Sequence, residues 1–176
     1  MANEYLPLKI DPFRFADNQS RLQGSLPIKN MPRLLASLAS DEGEAEVNIR
    51  FGVDEQGIRY LKGHLAAHLT VQCQRCMESY IYEIIGDFKL GILQREEEAI
   101  SLPESYDPLV IQGAELFISD VIEDELIVSL PIVPMHELSQ CKVQLPLVTQ
   151  SAGLSDIEKD NPFKVIELLR TKRDKQ

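Results

Sequence analysis

Cysteine is scarce in this chain of 176 residues: there are three, at positions 73, 76 and 141. An odd, small number excludes a framework of paired disulfides and leaves metal binding, redox chemistry or plain burial for the sulfurs. Long apolar runs are also missing. Nothing approaches the roughly 20 residues needed to cross a bilayer, and the first residues lack the basic start and apolar run of a secretory signal. The expectation is a cytoplasmic protein with no membrane partner. Catalytic signatures are absent as well: no serine elbow, no phosphate-cradling glycine loop, no dinucleotide glycine pattern and no His-Glu-x-x-His. Neither an active site nor a small-molecule substrate is expected. No internal repeat or low-complexity tract interrupts the chain.

Positive charge is missing from one long stretch. Between Glu96 and Cys141 there is no Lys or Arg, while eleven of the 28 acids fall there, leaving seventeen acids against eighteen bases elsewhere. The net charge of −10 is therefore concentrated in this segment. Such a surface repels a polyanion, which disfavours sequence-independent RNA binding over much of the protein. It suits a basic partner, or simply a solvated acidic face.

What is present is a chain with 44% hydrophobic residues and a length that suits one domain, expected to span 1–176. Residues 45 to 53 alternate strictly, with Ala45, Val47, Ile49, Phe51 and Val53 on one face, the period of a half-buried strand. After the turn at Asp54-Glu55-Gln56-Gly57, a second strand begins near Ile58. It buries Leu61, Gly63, Leu65, Ala67, Leu69, Val71 and Cys73 and exposes Lys62, His64, His68, Thr70 and Gln72. A third strand carries Tyr80, Tyr82, Ile84, Gly86, Phe88, Leu90 and Ile92 on one side. The pattern predicts an α+β fold, an antiparallel β-sheet meander packed against one main helix with short flanking helices.

That main helix is expected over Ala114 to Leu130, stopped by Pro131, with Ile118, Val121, Ile122 and Leu126 as its apolar arc. Glu125 falls inside the arc and needs a partner, for which Arg75 is the candidate. Met31 to Leu38 reads as a short helix with Pro32 in its first turn. Gln94 through Pro108 reads as an acidic loop, 142–160 as a loosely ordered linker, Pro162 to Arg170 as a short helix and 171–176 as a frayed basic tail.

Chemistry concentrates in Cys73-Gln74-Arg75-Cys76, at the tip of the second hairpin. Two thiolates spaced in this way form one half of a zinc knuckle, and His136 and Cys141 can supply the other half of a tetrahedral site. Thioredoxin-type redox chemistry needs its Cys-x-x-Cys at a helix N-terminus, and here the pair joins two antiparallel strands. Structural zinc, idle buried thiols and a thiol-redox or metal-dependent enzyme using Cys73 and Cys76 all stay open on spacing alone. His64 and His68 lie about 13 Å apart on a strand, too far to share a metal. Adjacent acids at Glu123-Asp124-Glu125 point in different directions on a helix and make no acid/base dyad.

Five blocks together resemble the YceD family of bacterial proteins, the large ribosomal RNA subunit accumulation proteins. They are Asp11-Pro12, Cys73-Gln74-Arg75-Cys76, Val121-Ile122-Glu123-Asp124-Glu125-Leu126, Leu130-Pro131-Ile132-Val133-Pro134 and Asn161-Pro162-Phe163, and they span nearly the whole chain. The resemblance implies a non-enzymatic role in the synthesis, processing or stability of 23S ribosomal RNA, with no catalytic residues to carry over. Other members have further cysteines just after the Leu-Pro segment. Here His136 stands near one such position and the later ones are absent, so the two alternatives are a metal site with His136 and Cys141 as its surviving second pair, or a vestigial site with Cys73 and Cys76 kept as a tight turn. The expected partner is a ribosomal protein or pre-50S particle. The acidic residues Glu96, Glu97 and Glu98 would engage it, and Arg170, Lys172, Arg173 and Lys175 of the tail would touch RNA.

Overall fold

In the computed structural model, residues 6–143 are described. The linker expected at 142–160, the helix at 162–170, the tail and its four cations therefore lie wholly or almost wholly outside the described residues, as does part of the expected 1–176 domain. The order of elements is β1 (Lys9–Ile10), α1 (Pro12–Asp17), β2 (Arg21–Pro27), α2 (Pro32–Leu35), β3 (Glu44–Val53), β4 (Arg59–Gln72), β5 (Ser79–Leu93), β6 (Asp107–Val110), β7 (Leu116–Phe117) and α3 (Ile118–Ser129). Single 3-10 turns occupy Ile28–Asn30 and Glu96–Ser101.

The period-2 segments fold as read, except that Val53, expected on the buried face, is exposed at the end of β3. β2, β3, β4 and β5 pair antiparallel in that order, and β6 closes the far edge parallel to β5. On the inner face Val47, Ile49, Phe51, Leu61, Leu65, Leu69, Val71 and Ile84 are buried in one cluster with Ile118, Val121, Ile122 and Leu126 of α3. The architecture is the expected α+β arrangement of a sheet against one main helix. Gly63 sits at the tightest point of the inner face. A Cβ there would lie 2.1 Å from the Phe88 ring, so the aromatic fills the space a side chain would need.

The elements that depend on distant partners differ from expectation. The main helix begins at Ile118 rather than Ala114, because Gly113 turns the chain at φ +108 and Leu116–Phe117 pair with Lys9–Ile10 as β7 against β1. The helix expected over Met31 to Leu38 is only four residues long, Pro32–Leu35, preceded by the 3-10 turn. The acidic loop contains the 3-10 turn and leads into β6.

The buried carboxylate of α3 is Glu123, 3% exposed, and its partner is Arg33, so the expected Glu125–Arg75 pair does not form. Arg75 instead donates to the His136 carbonyl at 2.7 Å. Glu125 stays half-buried at the rim, where desolvation and the nearby Asp107 and Asp124 charges raise its pKa. α2 has no capping side chain of its own. Oε1 of Glu123 supplies the cap from another helix, accepting from the backbone N–H groups of Arg33 at 2.6 Å and Leu34 at 3.1 Å. These are the second and third amides of α2, the ones an N-cap oxygen normally satisfies. Oε2 accepts from Nε of Arg33 at 2.9 Å.

Candidate metal centre

β4 ends at Gln72, and the chain must reverse within six residues to start β5 at Ser79. It does so through a knuckle in which the Cys73 N–H donates to the Glu78 carbonyl at 2.9 Å and the Met77 N–H donates back to the Cys73 carbonyl at 2.8 Å. Met77 takes φ +63 to complete the turn. The segment after α3 is stitched to this tip. Pro131 ends the helix, the Gln74 N–H donates to the Pro134 carbonyl at 2.8 Å, and Arg75 clamps the His136 carbonyl. A turn at Glu137, whose carbonyl accepts from the N–H groups of Gln140 and Cys141, swings Cys141 back under the knuckle. Lys142 then pairs with Glu78 of the hairpin.

These contacts bring together all four residues read from the sequence. Ligand atoms of Cys73, Cys76, His136 and Cys141 all lie within 4.8 Å of one another, and Sγ of Cys76 is 3.3 Å from Nδ1 of His136. Around one zinc ion, with Zn–S near 2.3 Å and Zn–N near 2.0 Å, tetrahedral donors stand about 3.5–3.8 Å apart. The cluster needs only a small contraction to reach that geometry. Three sulfurs and one imidazole are a donor set of structural zinc sites. Cys73 and Cys141 are buried, and Cys76 and His136 are partly so.

The surroundings favour thiolate at the innermost sulfur. Burial pushes the Cys73 thiol up, but the backbone of His136, Cys76 and Arg75 together with the Cys76 side chain outweighs it, bringing the pKa down to about 5. At Cys76 the Glu78 backbone pulls down, yet burial and the neighbouring Cys73 and Cys141 sulfurs leave the thiol raised. The Tyr80 ring stands 4.5 Å from the imidazole, and burial with the Cys73 charge raises its phenol. A nucleophilic or redox cysteine needs access, and the low-pKa sulfur here is fully buried. The four side chains stand close enough together to hold one metal ion.

The other sequence candidates are placed separately. His64 and His68 sit exposed on β4, facing Asp87 at 2.9 Å and Glu83 at 3.4 Å across the strand pair, with no shared metal position. Glu96 and Glu97 are exposed on the acidic turn. Glu98 folds back, accepting from the Gln94 N–H at 3.1 Å and Nε of Arg95 at 3.0 Å, which hold its carboxyl below the usual range. Sequence reasoning missed the capping role of Glu123, which required knowing that α2 and α3 pack together.

Residues 61–170 match the family described as Large ribosomal RNA subunit accumulation protein YceD. The protein of that name from Haemophilus influenzae (strain ATCC 51907 / DSM 11121 / KW20 / Rd) is 32% identical over 171 residues, covering 95% of this chain and 97% of the relative. No solved structure matches.

Proposed function

This chain belongs to the YceD family, and on that premise we propose that it is a non-enzymatic, cytoplasmic factor in large ribosomal subunit assembly. It supports 23S ribosomal RNA by binding a ribosomal protein or pre-50S particle. The observation that carries this reading is the long segment without a single cation, from Glu96 to Cys141, beginning on an exposed turn. Ribosomal proteins are basic because they neutralise RNA, and an acidic turn attracts them and steers their encounter. Glu98 is held by Arg95, so Glu96 and Glu97 are the carboxylates free to reach outward. The tail cations Arg170, Lys172, Arg173 and Lys175 complement them as RNA contacts.

The second part of the proposal is one structural zinc ion held by Cys73, Cys76, His136 and Cys141. It would clip the segment after α3 to the β4–β5 tip. Among the described residues no helix is long and apolar enough to cross a membrane. The test is sedimentation of lysate from cells carrying the tagged full chain. The intact chain should travel with large-subunit precursors, and Glu96→Gln with Glu97→Gln should shift most of it to the top of the gradient. Unchanged co-sedimentation of that variant would remove the acidic turn from the proposal.

A further inference from the structure

The outer face of the sheet, opposite the core, carries a feature the linear sequence hides. Register pairs Arg21 with Arg50, Arg50 with Lys62, and Lys62 with Lys89, so four cations from four successive strands stand in one row. Like charges directly opposite each other on neighbouring strands destabilise a sheet, and this row contains three such pairs in succession. Elsewhere among the described residues Lys9, Arg33, Arg59, Arg95 and Lys142 each have a carboxylate within salt-bridge distance, while Arg14, Lys29 and Arg75 stand singly without one. Among the described residues, none of the four in the row has one. Such a concentration of positive charge, with no carboxylate in salt-bridge distance, is costly unless an anion completes it.

The neighbourhood of the row has the chemistry of a phosphate reader. Arg21, Arg50 and Lys62 are exposed, and the ammonium of Lys89 is held 3.8 Å above the Tyr106 ring, which also stacks beside Tyr60. Asp54, on the same side as Tyr106, partly compensates Lys89. One register step along, Gln23, Asn48, His64 and Asp87 form a polar row in which Asp87 is already paired with His64. A hollow of about 420 Å³ opens among Asn48, Arg50, Lys62, His64 and Lys89, with Asp87, the partner of His64, also on its wall. At roughly 4.8 Å per strand the four cations cover about 14 Å, enough for several phosphates of one strand. The two rows contain no exposed aromatic or large aliphatic anchor of the kind a protein–protein hot spot uses; the exposed Ile85 and Ile81 of this face lie further along β5. Arg, Lys, Asn and His are instead common donors to nucleic-acid backbones.

We infer that the outer face of the β2–β5 sheet is an RNA-binding surface, on which Arg21, Arg50, Lys62 and Lys89 contact successive phosphates of one RNA strand. The assignment deepens the assembly-factor reading and rests on it for the choice of RNA as the polyanion. It adds a direct RNA contact on the sheet to the one proposed for the tail. It also qualifies what net charge alone implies: the acidic segment repels RNA, and the sheet row is where the polyanion can approach.

The test is binding of the purified full chain to a single-stranded RNA oligomer over a range of salt concentrations. The four sheet contacts contribute about −2.8 to the slope of log affinity against log salt, beside whatever the tail adds, and Arg50→Gln with Lys62→Gln should make the slope shallower by about 1.4 while weakening binding at least tenfold in low salt. Lys29→Gln, which removes an exposed cation away from the row, should leave both quantities unchanged. The melting temperature of the double variant should not fall, because its side chains are exposed and the substitution relieves repulsion. Equal binding by the double variant, an equal loss with Lys29→Gln, or no RNA binding at all would overturn the inference. So would polyglutamate bound in place of RNA with the same sensitivity to the double variant, which would mark an acidic protein as the ligand. Sedimentation separates this failure from failure of the assembly reading: a chain that travels with precursors yet binds no RNA loses only the sheet surface. A chain that binds RNA through the row but never meets precursors loses the assembly role.

Discussion

Replacing Glu123 with alanine is expected to destabilise the fold by about 2–4 kcal/mol, since it strands the buried backbone donor of Leu34, at about 1–3 kcal/mol, and the part-buried one of Arg33, at less. Arg33 itself adds less, because its side chain is 52% exposed and can turn to water. Glu123→Gln is the informative comparison. It keeps an oxygen that can accept from both amides while removing the charge, so it should cost clearly less than alanine. Urea denaturation reads this as a shift in midpoint at constant slope. Equal losses for Gln and Ala would mean that the cap on α2 is not what Glu123 contributes.

Removal of the proposed zinc ion is the second large effect expected. A ligand that binds only the native state, present at a thousandfold excess over its dissociation constant, stabilises by about 4 kcal/mol. For a chain of this size each kcal/mol is worth about 2–4 °C in melting temperature, so a chelator should lower the melt by about 8–16 °C. Cys76→Ser should lower the zinc content of the purified protein from one per chain and reproduce most of that shift. The loss should be local at first: the main core cluster contains none of the three cysteines, whereas the knuckle and the 131–143 segment are joined by a few hydrogen bonds. Because thiols and imidazole must be deprotonated to bind, zinc retention should fall as pH drops. A melt indifferent to chelator, with no metal in the protein, would leave the four residues as a packed turn.

The parts of this structure legible in the sequence are those whose signal is local. β3, β4 and β5 alternate with period 2 for ten residues or more, and burial follows that alternation closely. The Cys-x-x-Cys knuckle is likewise a matter of spacing. β2 escaped notice because Gly24 and Pro27 break its pattern, which an edge strand tolerates. α1 is six residues long, too short for helical periodicity to show, although Asp11 caps it by accepting from the N–H groups of Phe13 and Arg14. Residues 114–117 look helical in isolation and are held extended by Lys9–Ile10 at the other end of the chain. The choice between Glu123 and Glu125 as the buried acid turns on α2, about ninety positions away, which no wheel can display. The cation row depends on strand register, a property of pairs rather than of segments.

The role in large-subunit assembly is tested most directly by the ratio of 23S to 16S ribosomal RNA in cells depleted of this chain and then supplied with it again. The account predicts that 23S ribosomal RNA falls relative to 16S on depletion and recovers with the intact chain. A ratio that stays normal throughout depletion would contradict it.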